Sequence, residues 1–65
     1  MKTNEIIILA NNHLDQAMYS AAKFCLAESE MFYQQGKHDL AKKKALLSLA
    51  YSVGLSHPDY IQATK

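Results

Sequence analysis

The segment from Ala41 to Val53 has room for only a short helix, and it carries large apolar side chains on more than one side. At 100° per residue, the side chains of this segment and of Leu40 just before it fall into three stripes. One stripe consists of Leu40, Leu47 and Tyr51, and a second consists of Leu46, Leu49 and Val53. The third contains only small residues: Ala41, Ala45, Ser48 and Ser52. A helix that is apolar nearly all round must be covered nearly all round. A chain of 65 residues has at most one other long helix to cover it, so we expect a second chain to cover the remainder.

Length, cysteine content and histidine content limit how the chain can be stabilised. Its 65 residues form one small domain, 1–65, near the size at which a single core only marginally offsets conformational entropy. Cys25 is the only cysteine, which excludes an internal disulfide, and the histidines lack the spacing of metal ligands: His13, His38 and His57. We therefore expect no metal and no cofactor. We expect a homodimer in which two helical hairpins form a four-helix bundle.

Composition favours an all-α fold. The chain has two glycines and one proline, and 49% of its residues are hydrophobic, so it is poor in the turn residues that many short strands require. The β-branched run Ile6-Ile7-Ile8 would suit a strand, but a lone strand would have nothing to pair with. Helix throughout is therefore the favoured prediction.

Helix start and stop signals place the elements of a helical hairpin. We predict a long helix over about 4–35, either continuous or broken near 11–12, a second helix over about 39–53, and a short C-terminal helical turn over about 57–63. Gly36 is the predicted left-handed residue that ends the first helix, and Asp39 is the predicted N-cap of the second.

The predicted long helix carries a broad apolar face with one carboxylate on it. The face consists of Leu14, Ala17, Met18, Ala21, Phe24, Cys25, Met31 and Phe32. Glu28 lies near the middle of this face, so we predict that it is buried and needs a cationic partner. A hairpin closing at Gly36 brings Lys42, Lys43 and Lys44 back along the end of the first helix. An ion pair within the chain or across a dimer is the favoured interpretation, and a catalytic acid or metal ligand is the alternative.

Lysines cluster around the predicted hairpin turn. The basic cluster consists of Lys37, Lys42, Lys43 and Lys44, beside His38. Such a cluster can bind the phosphates of a nucleic acid or an acidic protein surface, and it can also be a solvated helix start. The net charge is only +1, and the chain has no arginine, the side chain best suited to phosphates and base edges. Binding of nucleic acid by a small regulator is therefore the second functional hypothesis.

The residues around the turn have a recognisable spacing. The segment Tyr33-Gln34-Gln35-Gly36-Lys37-His38-Asp39-Leu40-Ala41, with small or aromatic residues at Ser29, Phe32 and Ser48, resembles the centre of a tetratricopeptide-type repeat. The resemblance covers residues 29–48, and the spacing is similar to that of other helical hairpins, including the microtubule-interacting and transport domain. It implies a hairpin that binds a partner.

These patterns predict a protein–protein interaction module and no enzyme. The sequence has no glycine-rich phosphate loop, metal-binding cysteine pair or nucleotide fingerprint. Its longest apolar run, Ile6 to Ala10, is too short to cross a bilayer. The sequence has one unpaired cysteine and no pattern typical of a secretory signal peptide, so we expect a reducing cytoplasmic environment. We expect the module to self-associate and to dock on, adapt or inhibit a larger protein through the apolar residues Leu46, Leu49, Tyr51, Val53 and Tyr60.

Overall fold

The computed structural model describes residues 1–14 and 20–65 of the chain. Within these ranges the protein is helical and contains no strand, which confirms the all-α prediction. The helices are α1 (Thr3–Leu14), α2 (Ser20–Gln34), α3 (His38–Val53) and α4 (Pro58–Thr64). α2 and α3 form the hairpin, and α1 and α4 both pack on α3. None of the described helices is both long and apolar enough to cross a membrane.

The predicted long first helix corresponds to two helices in the structure. A straight helix over 4–35 would be about 48 Å long at 1.5 Å per residue, whereas the Cα atoms extend over no more than 28 Å in any principal direction. Asn11 and Asn12, the predicted place for a break, lie inside α1. Residues 15–19 lie outside the described part of the chain, and with them two residues of the predicted apolar face, Ala17 and Met18. α1 therefore lies against the hairpin instead of extending α2.

The turn between α2 and α3 is a Schellman motif at Gly36. Gly36 has a φ of +80°, as predicted for a left-handed glycine. Two backbone hydrogen bonds close the turn, from Gly36 N–H to the Tyr33 carbonyl at 3.0 Å and from Lys37 N–H to the Phe32 carbonyl at 2.9 Å. The prediction of Asp39 as N-cap is wrong, because Lys37 holds that position and makes no side-chain cap. Asp39 instead lies in the first turn of α3, where its negative charge interacts favourably with the helix dipole.

α2 and α3 pack through small side chains and two hydrogen bonds. The Ser29 hydroxyl donates to the Ala41 carbonyl at 2.6 Å, and the Ser48 hydroxyl donates to the Ala22 carbonyl at 2.7 Å. The order of these pairings makes the two helices antiparallel. All four side chains are fully buried, as is that of Ala45. Small side chains let the two backbones approach closely enough for each serine to reach a carbonyl of the facing helix.

The main apolar core lies where α1 and α4 cover a second side of α3. Its buried members are Ile6, Ala10, Leu26, Ala45, Leu49 and Ala63. Partly buried residues surround them: Ile7, Leu9, Leu14, Leu46, Val53 and Tyr60. Because α1 is a separate helix that packs back on α3, the chain itself covers more of α3 than a simple two-helix hairpin would.

α4 is held at its N-terminus by two histidines. Gly54, at a φ of +92°, follows the end of α3. His57 is the N-cap of α4, and its Nδ1 accepts a hydrogen bond from the Asp59 backbone N–H at 3.0 Å. His13 Nε2 on α1 lies 2.8 Å from Asp59 Oδ2. The predicted C-terminal turn is therefore a helix that is tethered to α1.

Candidate interaction surface

One side of α3 is not covered by the described helices. Leu40, Leu47 and Tyr51, which we call the outer stripe, are spaced seven and four residues apart and so lie on one side of the helix. Their side chains are 42%, 44% and 49% exposed. Leu49 lies on the opposite side and is fully buried. The outer stripe is therefore an apolar part of α3 that the described helices leave exposed.

Several large apolar side chains of the described residues are exposed, although the interface between α2 and α3 is filled mainly by small ones. The largest fully buried side chains are those of Ile6, Leu49, Ser29 and Ser48. The exposed large apolar residues are Met1, Ile8, Phe24, Met31, Leu40, Leu47, Tyr51, Leu55 and Ile61. Single exposed apolar residues are ordinary in small proteins. The outer stripe differs because it aligns three of them on one side of one helix, as protein–protein contact surfaces do.

Most of the predicted apolar site belongs to the fold itself. Leu49 has no exposed surface, so its assignment to a docking surface is wrong. Leu46, Val53 and Tyr60 are partly buried and pack against the same core. The physical reason is that α1 and α4 cover this side of α3, which a two-helix hairpin leaves open.

The remaining predicted residue, Tyr51, does lie on the exposed surface. Leu40 and Leu47 accompany it there, although neither was in the predicted site. The helical periodicity of α3 already places these three residues on one side. Periodicity alone does not tell which side of a helix the rest of the chain will cover.

The buried face of α2 is rotated relative to the predicted one. The observed face consists of Ala22, Cys25, Leu26 and Ser29. Cys25 of the predicted apolar face is buried, but Phe24 and Met31 of the same predicted face are 66% and 47% exposed. The rotation turns the small residues of α2 toward the small residues of α3, which leaves Phe24 and Met31 facing solvent.

A salt bridge joins α2 to α3 beside the outer stripe. Lys44 Nζ lies 3.1 Å from Glu28 Oε1, which confirms the predicted pairing of Glu28 with a lysine of the second helix. The predicted burial of Glu28 is wrong, since its side chain is 27% exposed and that of Lys44 is 32% exposed. Lys44 lies between Leu40 and Leu47 in the spacing of the outer stripe. The ammonium group of Lys44, which borders this surface, is therefore already paired.

The lysine cluster of the sequence does not form one patch in the structure. The three lysines of 42–44 are successive residues of α3, so their side chains leave the helix 100° apart. Lys44 is paired with Glu28. Lys37 Nζ lies over the ring of Phe32, 5.9 Å from its centroid. The positive charge is thus distributed around the start of α3.

The polar clusters of the described residues have structural roles. His13, His57 and Asp59 meet at the start of α4, where the two imidazole rings lie 5.3 Å apart and Asp59 hydrogen-bonds to both histidines. Across 1–14 and 20–65, no three His, Cys, Asp or Glu side chains are placed to hold a metal ion. Every buried side-chain nitrogen or oxygen in these ranges has a hydrogen-bond partner.

A shallow groove lies between α1 and α2. It has a volume of about 250 Å³ and is lined by Asn4, Ile7, Ile8, Glu30, Tyr33 and Gln34. Sites that enclose a small molecule are concave and usually span about 300–1,000 Å³. A second depression, of about 300 Å³, lies at the start of α3 over residues 36–40. Both are open to solvent and neither would enclose a ligand, so the extended apolar side of α3 is the stronger candidate for a functional surface.

Comparison with known proteins found no matching protein-family model, no matching curated protein and no matching solved structure.

Proposed function

We propose that this chain is a small protein–protein interaction module that self-associates through the outer stripe of α3. The observation that carries the proposal is a row of exposed large side chains on α3, a helix that contacts α2 mainly through small ones. Leu40, Leu47 and Tyr51 stay exposed, while alanines and serines fill the interior of the hairpin. Removal of apolar surface from water is the dominant favourable term in association. A chain of 65 residues has a small core, which a second chain would enlarge.

Self-association through the outer stripe leaves other apolar side chains free for a larger protein. Phe24 on α2 and Leu55 after α3 are 66% and 68% exposed, and Tyr60 on α4 is partly exposed. Aromatic side chains are frequent anchors of protein interfaces. We expect these residues to supply the surface with which the module docks on, adapts or inhibits a larger protein. The proposed role is one of binding in the cytoplasm, where a free thiol such as that of Cys25 persists.

Nucleic-acid binding through Lys37 and the lysines of 42–44 is the weaker candidate. Lys44 is engaged by Glu28, and its neighbours point in different directions around α3. Lysine contacts to phosphates would make binding fall steeply with added salt. Apolar association is insensitive to moderate salt and is strengthened by salts such as sulfate. Salt dependence therefore separates the two candidates.

Sedimentation equilibrium with matched variants tests the proposed function. The wild-type chain should sediment as a dimer at micromolar concentration, and Leu47→Glu should be a folded monomer, because dimerisation would desolvate the new carboxylate. Ile61→Glu is the matched control, since Ile61 on α4 is also 44% exposed but lies outside the outer stripe. This control should remain dimeric. A wild-type monomer across that range, or equal loss of association in both variants, would contradict the proposal.

A further inference from the structure

The outer stripe has a symmetric spacing along α3. With Lys44 included, the positions of Leu40, Lys44, Leu47 and Tyr51 are separated by four, three and four residues, which reads the same in both directions. This alternation is that of a two-heptad coiled-coil seam. Building on the proposed self-association, we infer that a second copy of this chain covers the outer stripe with its own α3, packed antiparallel about a two-fold axis.

The symmetric spacing defines which side chains meet. The two-fold axis runs perpendicular to α3. It passes through the seam at the height along the helix that is midway between Ala45 and Leu46. Leu40 then packs against Tyr51 of the partner subunit, and Lys44 packs against Leu47 of the partner subunit. Each layer occurs twice, as an isologous interface requires.

The charge of Lys44 favours this antiparallel seam over a parallel one. A parallel pair would place Lys44 directly opposite Lys44 of the partner subunit, with two ammonium groups repelling each other in one layer. In the antiparallel pair, the methylene stem of Lys44 lies against an apolar leucine, as lysine stems commonly do. Its ammonium group stays 3.1 Å from Glu28 on α2. Each subunit therefore contributes one lysine to the seam, and Glu28 of the same subunit balances its charge.

The four described helices leave this side of α3 open to a second copy. α1 and α4 pack on the side that carries Leu49, which is nine residues from Leu40 and therefore on the opposite side of the helix. α2 flanks the outer stripe through the Glu28–Lys44 pair. Two hairpins can thus lie side by side with α3 in contact, which gives a four-helix bundle of two α2–α3 pairs.

Disulfide trapping tests the direction of the pairing. In a Cys25→Ala background, Leu40→Cys and Tyr51→Cys proteins are oxidised with glutathione disulfide, separately and as a mixture. We expect covalent dimers mainly in the mixture, because position 40 faces position 51 of the second copy within disulfide reach. Covalent homodimers of each variant alone would indicate a parallel seam and overturn the inference.

A charge-swap pair that keeps Cys25 makes the test independent of that background. Leu40→Lys and Tyr51→Glu should each weaken self-association. Their mixture should form a heterodimer about tenfold tighter than either homodimer, since the new charges meet at one end and the native residues meet at the other. If the wild type dimerises but neither assay gives its expected result, the antiparallel seam is wrong and the proposed self-association stands. A wild-type monomer at every concentration would overturn both.

Discussion

The Ser48 hydroxyl on α3 donates a hydrogen bond of 2.7 Å to the Ala22 carbonyl on α2, within a fully buried contact. Ser29 makes the reciprocal bond from α2 to α3. These two bonds fix both the distance between the helices and the rotation of each about its axis. Because the serines and alanines are turned inward, large residues such as Leu47 are turned outward. The orientation of α3 about its own axis therefore explains both the close packing of the hairpin and the exposure of the outer stripe.

Replacement of Ser48 should destabilise the hairpin according to the size of the new side chain. Ser48→Ala removes one buried hydrogen bond and should lower the free energy of unfolding by about 1 kcal/mol. Ser48→Leu forces a large side chain between closely packed backbones and should cost about 1–3 kcal/mol or more. Ser56→Ala, at an exposed serine, is the control and should have little effect. Urea unfolding at one fixed protein concentration measures all three, and a Ser48→Leu protein as stable as wild type would show that the helices are not closely packed.

The chirality of the residue at position 36 should decide its effect on stability. Gly36 has a φ of +80° and no atom within 4 Å of an added Cβ, so the effect of a substitution is conformational and not steric. Gly36→Ala should lower the free energy of unfolding by about 1–2 kcal/mol. D-alanine at this position, introduced by chemical synthesis, should leave stability unchanged or raise it by up to about 1 kcal/mol, since it favours positive φ in the unfolded chain as well. Thermal unfolding compares the two proteins, and equal stabilities would show that the left-handed turn is absent.

Local signals in the sequence were sufficient to place the hairpin turn and the start of α4. Gly36 and Gly54 both adopt positive φ, and the proline after His57 begins a helix. Each of these features depends on a few neighbouring residues. The pairing of Glu28 with a lysine was also predictable, because a turn at Gly36 brings the opening of the second helix back along the first.

The side of each helix that is buried depends on tertiary contacts that the sequence pattern does not specify. Leu49 is in the core because α1 packs back on α3, which is a long-range contact. Phe24 is exposed because α2 is oriented by its serine and alanine contacts, whereas a periodicity count gives weight to large apolar residues. The same cause explains why the surface formed by Leu40 and Leu47 was missing from the predicted site.

The Glu28–Lys44 salt bridge should contribute little to the stability of a single chain. Both side chains are partly exposed, and pairs of this kind usually contribute about 0.2–1 kcal/mol. A double-mutant cycle with Glu28→Gln and Lys44→Met should give a coupling energy in that range. The cycle is run well below the protein concentration at which the wild-type chain is expected to dimerise, so that no new charge is introduced beside Lys44. The coupling should decrease in high salt, and a salt-independent coupling above about 3 kcal/mol would instead indicate a deeply buried pair.

The histidine contacts of Asp59 should control the local opening of α4. His57→Ala removes the N-cap acceptor and should destabilise α4 by about 0.5–2 kcal/mol. Asp59→Ala removes the link to His13 and should act on the same helix. Hydrogen exchange should become faster at the amides of α4 and stay unchanged in α2 and α3. Gln62→Ala, at an exposed position of α4, is the control and should leave the exchange rates unchanged. Unchanged exchange in His57→Ala and Asp59→Ala would show that neither histidine contact stabilises the helix.

Contact between the outer stripe and a second chain in solution can be measured directly. Isotope-filtered nuclear Overhauser spectroscopy on an equal mixture of carbon-13-labelled and unlabelled wild-type protein reports only contacts between chains. We predict cross-chain signals between the methyl groups of Leu40 and the ring of Tyr51, and between the methyl groups of Leu47 and the side chain of Lys44. Cross-chain signals confined to α1 or α4, such as those from Ile8 or Ile61, or no cross-chain signals at millimolar concentration, would contradict this prediction.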